Sequence, residues 1–202
     1  PPMSAVTSDV AIANMALSHL GADSRIESMT EKSTEARAMK QWYNACRLET
    51  LERFDWSFAR KRQELATHAE DPPEGVWAYR YQYPADCVSF RRIRNPLGEQ
   101  QDPVPFQEEA ATNGTRSLLT NLEDAVGIFT YDCTNTLVFP ASFVIALSHC
   151  LAWRTGFQIT KKQSIASAQG QLYDGLFRRA SGQNANAAAA EPPRDAARIR
   201  GR

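Results

Sequence analysis

Neither sign of charge prevails in this chain. Lys and Arg total 23, Asp and Glu total 23, and the formal net charge over 202 residues is zero. A protein held to nucleic acid by charge carries a basic excess on at least one face, so any such face must be local. The stretch from Cys46 to Gln100 has nine basic residues against nine acidic ones, which leaves little surplus for phosphate. Cysteine is scarce too. Cys46, Cys87, Cys133 and Cys150 form no CxxC pair and no zinc-ribbon spacing, so buried reduced thiols of a cytosolic product are expected. Of three histidines, His19 and His68 stand isolated, and neither a metal nor any other cofactor is expected. The longest apolar run, Phe139 to Trp153, is broken by Ser142, Ser148 and His149. It falls short of the roughly 20 residues a membrane span needs, so no membrane partner is expected. No signal peptide opens the chain, and Pro1-Pro2 reads as a start whose methionine has been removed.

Catalytic signatures are missing as well. There is no GxSxG elbow, HExxH, Walker loop or GxGxxG. His149 and Cys150 adjoin, but neighbouring helical residues point about 100° apart and do not face each other. The adjacent carboxylates Glu108 and Glu109 lie in a polar stretch, where solvation is the plain reading. An enzyme is not expected.

What is present is a strong helical pattern at both ends. Residues 8 to 20 read as a helix, with Ser8 as N-cap, Ile12, Met15, Ala16 and Leu20 on one face, and Gly21 following. A second helix is expected from 33 to 54, with Ala36, Met39, Tyr43 and Cys46 in one stripe. A third, 140 to 155, starts with Pro140 as first helical residue and is apolar almost all round, so it should be buried almost all round. Thr160 and Gln163 match a capping box for a fourth helix, 161 to 180, ended by Gly182. Between them Trp77, Tyr79, Tyr81 and Tyr83 alternate at period two, the mark of a half-buried strand. CVSFRRIRNP, GIFTYDC and TLVF read as further strands, and residues 97 to 116 as an exposed loop. The expected fold is α+β, mainly α. Residues 1–70 and 139–182 form a helical bundle, residues 71–138 an inserted β-rich subdomain, and residues 183–202 a flexible arm.

The stretch FDWSFARKRQELA, residues 54 to 66, joins the helical and β patterns. Phe54, Trp56 and Phe58 are expected to wedge the helix end against the β subdomain. Arg60, Lys61 and Arg62 are expected in ion pairs within or between subunits, or lining a channel.

The same stretch carries a resemblance. AIANMALSHLGA, then EARAMKQWYNACRLETLERFDWSFARKRQELA, then WAYRYQYPADCVSFRRI, in that order, resemble the head-to-tail adaptors of short-tailed bacteriophages, the tail tubular protein A or head-tail connector type. SLLTNLEDAVGIFTYDCTNTLVFPASFVIALSHCLAWRTGFQIT is similar to the later part of that family, and the likeness spans about residues 9 to 180. The resemblance implies a non-enzymatic virion protein of the neck, assembled in the host cytoplasm as a homo-oligomeric ring, usually of twelve copies. It implies the portal protein above and the tail nozzle, the tail tubular B-type protein, below. Double-stranded DNA would pass non-specifically through the channel at genome ejection. On this reading Arg194, Arg198, Arg200 and Arg202 meet the portal, and Asn95, Gln100, Gln101, Glu108 and Glu109 lie in loops facing the nozzle. Two rival classes remain: a tail-associated hydrolase, which needs a paired carboxylate site, and a DNA-binding packaging factor, which needs a basic face.

Overall fold

Two helices open the fold, and serine starts each of them. The Ser8 side chain accepts from the Ala11 amide (3.0 Å) to begin α1, Asp9–His19, and Gly21 leaves it at φ 67°. Ser33 does the same for Ala36 (3.1 Å) at the head of α2, Thr34–Glu52. The computed structural model describes residues 8–98 and 102–189.

Six strands follow: β1 Arg60–Glu64, β2 Tyr79–Gln82, β3 Cys87–Ile93, β4 Phe106–Ala110, β5 Arg116–Thr120 and β6 Val126–Tyr131. They form two three-stranded antiparallel sheets, ordered β1-β6-β3 and β2-β5-β4. Leu65, Tyr81, Phe90, Ile93, Leu118 and Phe129 pack between the sheets. A Cβ at position 127 would stand 2.7 Å from the Phe90 ring, so only glycine lets β6 approach there.

Helices α3, Ala141–Thr160, and α4, Gln163–Ala189, complete the chain. The fold is therefore mixed, α+β. Helix α3 packs against α1, α2 and α4. At Gly156 a Cβ would sit 3.0 Å from that of Ala166, so α3 and α4 meet at close range. Ile12, Leu17, Met39, Leu51, Trp56 and Phe143 centre this second core.

Several expectations are corrected. Pro140 is the N-cap of α3, extended at ψ 152°, not its first helical residue. Helix α3 also runs on to Thr160, where the Thr160 hydroxyl donates to the Gly156 carbonyl (2.7 Å) and accepts from the Lys162 amide (3.1 Å). Bound into the end of α3, Thr160 makes no capping box for α4. Helix α4 passes through Gly182 to Ala189. Glycine costs about 1 kcal/mol inside a helix, and the alanine-rich stretch after it has the best helix propensity of all. Residues 183–189 of the expected arm are thus helical. TLVF forms a 3₁₀ turn, Thr136–Val138, because the Asn135 side chain accepts from the Leu137 amide (3.1 Å). The expected loop 97–116 contains β4, drawn in by Phe106, whose ring meets Phe90 at 5.0 Å. Because β1 joins the sheets, the β part begins at Arg60 rather than at 71.

The aromatic trio packs in the helical core cluster, which Val88 of β3 and Tyr131 of β6 also join. Trp56 is buried, donates from Nε1 to the Thr50 carbonyl (2.8 Å) and meets Phe143 edge-on at 5.2 Å. Phe58 meets Phe143 at 5.0 Å and Phe139 at 5.5 Å. Trp56 and Phe58 therefore wedge into the helical core at the start of α3, where each edge-to-face pair adds roughly 0.5–1.5 kcal/mol beyond its area.

Two arginines tie the parts together. The Arg91 guanidinium, on β3, donates to the carbonyls of Leu51 (3.0 Å), Glu52 (2.8 Å) and Phe54 (2.8 Å), and its Nε to the Thr130 hydroxyl (2.9 Å). It thus caps the C-terminus of α2, where carbonyls lack helical partners and a cation suits the dipole. Arg47, buried on α2, pairs with Asp132 and donates to the Cys133 carbonyl (2.8 Å) just past β6. Arg91→Ala should lose about 2–4 kcal/mol of unfolding free energy, since it strands three carbonyls and a hydroxyl. Arg91→Lys should recover little, because an ammonium lacks the planar fork. Urea denaturation measures both; a loss under about 0.5 kcal/mol for the alanine variant contradicts this role.

Candidate assembly surface

The chain leaves α2 at Glu52, makes a 3₁₀ turn over Ser57–Ala59 and enters β1 at Arg60. Arg60, Lys61 and Arg62 are therefore successive residues of a strand. β1 is an edge, paired only with β6: Arg60 stands opposite Thr130, Lys61 opposite Phe129, Arg62 opposite Ile128. Arg60 grips Asp55 with two bonds, Nε to Oδ1 (3.0 Å) and Nη2 to Oδ2 (2.9 Å). The same carboxylate lies 3.6 Å from Arg92. Lys61 reaches Asp86 (2.8 Å) and stands over the Phe129 ring at 5.9 Å. Arg60 and Lys61 thus hold carboxylates within the chain, and Arg62 is exposed. The pair at Lys61 is worth about 0–1 kcal/mol, as exposed pairs are.

Glu108 and Glu109 lie on β4, the edge of the other sheet. Successive strand residues point to opposite faces, and so do these two. Glu108 accepts from Arg116, while Glu109 lies 3.4 Å from Arg80. They make no acid/base pair across a single substrate. Asn95 sits in the turn after β3; its side chain accepts from the Leu97 amide (2.9 Å) and donates to the Asp102 carbonyl (2.9 Å). Leu97 at the tip is 80% exposed. Gln100 and Gln101 lie outside the described residues, as do Arg194, Arg198, Arg200 and Arg202. The structure places the three cations on one edge and the two glutamates on another, in separate sheets, and does not bring them together within one copy.

Three polar features escaped the sequence. Arg80 lies on the face of β2 that period two assigns to solvent, yet it is buried, bonded to the Ser117 hydroxyl (3.0 Å) and flanked by Glu70 and Glu109. Nothing local in the sequence marks it. The second is at the joint, where Ser8, Asp9, Tyr43, Arg47, Thr134 and Thr136 line a polar cleft of about 390 Å³. The Tyr43 hydroxyl is buried there without a partner, and burial pushes its pKa up to about 12. The third is His19, which is not isolated. It stacks on His149 with ring centroids 3.9 Å apart and an 11° tilt, and its Nε2 meets the Ser148 hydroxyl at 3.0 Å. His149 Nδ1 meets Gln169 at 2.7 Å, and Gln169 donates to the His19 carbonyl (2.9 Å), so the cluster joins α1, α3 and α4. Leu20, the residue after His19, packs on Gly156.

Cys150, next to His149, turns instead to Cys46 and Glu49 of α2. The hydrogen bond to Cys150, then burial, raises the Cys46 thiol far above its usual range, so it stays protonated and inert. Cys87 is only half-buried, and burial lifts it to about 11. Among the described residues no three of His, Cys, Asp and Glu stand together to hold a metal ion, and no helix is long and apolar enough to cross a membrane.

No protein-family model matches the chain, and no curated protein does.

The histidine cluster makes a pH prediction. Burial first, then the neighbouring His149 ring, lowers the His19 pKa from 6.5 to about 4. Between those values the unfolded chain binds the proton that the folded chain refuses. Stability therefore falls as pH drops from 6.5 toward 4 and carries no such penalty above 6.5. Carboxylates titrate in the same window, so the readout is a difference. In urea denaturation from pH 7 to 4.5, His19→Gln should flatten the slope relative to the unsubstituted chain. Equal slopes would refute the assignment.

Proposed function

We propose that this chain is a virion structural protein, a head-to-tail adaptor whose copies form a ring beneath the portal, extend the DNA channel and seat the tail nozzle. The observation that supports it most is the order of parts. α3 packs against α1 and α2 although the whole β part intervenes in sequence. That arrangement suits a helical bundle from which the β part projects as an inserted subdomain, as the resemblance implies. Helix α4 carries the chain toward Arg194, Arg198, Arg200 and Arg202, the residues assigned to portal carboxylates. The Asn95 turn, with Leu97 exposed at its tip, is assigned to the nozzle side. Zero net charge suits a channel along which DNA must slide. The pairing of Arg60 with Asp55 and of Lys61 with Asp86 speaks against the packaging-factor reading, since it draws cations away from phosphate. The opposed faces of Glu108 and Glu109 speak against the hydrolase. The protein would work in the virion neck, after assembly in the host cytoplasm, without catalysis or cofactor.

Light-scattering mass after size exclusion tests this reading, for the chain alone and mixed with the portal ring of the same phage. A complex holding a fixed, ring-like number of copies is expected. A chain ending at Ala189 should lose the complex. Failure of the full chain to join the portal under any condition removes the adaptor reading.

A further inference from the structure

Of the four edge strands in the two sheets, β1 and β4 differ in sign. β1 ends the sheet β1-β6-β3, and β4 ends the sheet β2-β5-β4. Each is five residues long. β1 reads RKRQE, three cations against one carboxylate; β4 reads FQEEA, two carboxylates and no cation. Among the described residues, no backbone–backbone hydrogen bond outside the sheet ladders ends on 61–64 or 106–110. Residues 61–64 are exposed on both faces of their strand, and 107, 108 and 110 are exposed on theirs. An open strand edge is a template for another chain unless its side chains forbid it. Here the side chains forbid like pairing only. β1 against β1 sets cation against cation, and β4 against β4 sets carboxylate against carboxylate. β1 against β4 sets Lys61 and Arg62 against Glu108 and Glu109, the favourable cross-strand case.

We propose that β1 of one copy adds to β4 of the next, so that a continuous sheet crosses each boundary between copies. Because the two edges belong to different sheets, the contact is head-to-tail, and repeated it closes a ring or extends a filament. Closure into a ring rests on the adaptor reading; the pairing itself needs only two copies of this chain. Arg60 stays with Asp55, shielded on both sides. Lys61–Asp86 and Glu108–Arg116 are surface pairs free to exchange partners as the strands meet. This assignment moves Glu108 and Glu109 from the nozzle side to the seam.

A charge-swap cycle decides it. One variant carries Lys61→Glu and Arg62→Glu; the other carries Gln107→Lys and Glu108→Lys, both exposed on β4, which leaves Glu109 beside the buried Arg80. The first has two acidic edges, the second two basic ones. Light-scattering mass should show the unsubstituted chain associating and each variant alone weakened by at least about tenfold. An equimolar mixture should associate again, since each acidic edge then finds a basic one. Rescue by mixing cannot come from misfolded chains. Either variant associating alone like the unsubstituted chain overturns the pairing. So does a mixture that stays monomeric, or an unsubstituted chain that never self-associates with or without the portal. Portal binding is scored separately. Variants that assemble normally and bind the portal remove the seam and leave the adaptor reading; a full cycle of swaps without portal binding does the reverse.

Discussion

The rest of this structure depends on one guanidinium. Arg91 stands on β3 and binds the last carbonyls of α2, so the same side chain ends a helix and fastens a sheet. A helix end otherwise leaves its final carbonyls to water. At this joint water would have to enter beside Trp56, which is fully enclosed. Arg91 removes that need and sets the angle at which the chain turns from α2 through the aromatic trio into β1. Arg47 repeats the device from the helical side, holding Asp132 and the Cys133 carbonyl where β6 leaves the sheet. The two hydrophobic cores share Tyr131 and are further coupled through these charge-assisted bonds, which makes the joint directional.

Direction matters for what the molecule presents. With the joint set, the β part offers edges of opposite sign at β1 and β4, the Asn95 turn with its exposed Leu97, and a helical side on which α4 runs to Ala189. A protein that works by assembly needs distinct contacts in different directions and little net attraction for what passes by. In the proposed adaptor, balanced charge would supply the second property, and segregating that charge onto separate strands would supply the first.

Much of the helical part was legible in the residues. Serine caps, the glycine at position 21 and the apolar spacing of Ile12 to Leu20 and of Ala36 to Cys46 place α1 and α2 within a residue or two of their observed ends. The strands β3 and β6 were legible for the same local reason. What failed was decided by partners distant in sequence. β4 owes its place to the Phe106–Phe90 contact, and β5 is enclosed on both faces, so neither shows an alternating pattern. Thr160 was committed to α3 by its own backbone bond. Arg80 and the His19–His149 stack are polar groups whose burial depends on residues tens of positions away. The candidate cations were visible as a run. That they form an edge, and that Glu108 and Glu109 form the opposite one, depends on strand order, which local pattern does not encode.

The proposed ring is symmetric and coaxial with a portal, and electron-microscope class averages of this chain mixed with that portal ring would reveal it. End-on views should show a rotationally repeated outer layer, and side views that layer stacked on one face of the portal. Portal rings with bare faces beside single scattered subunits would contradict it.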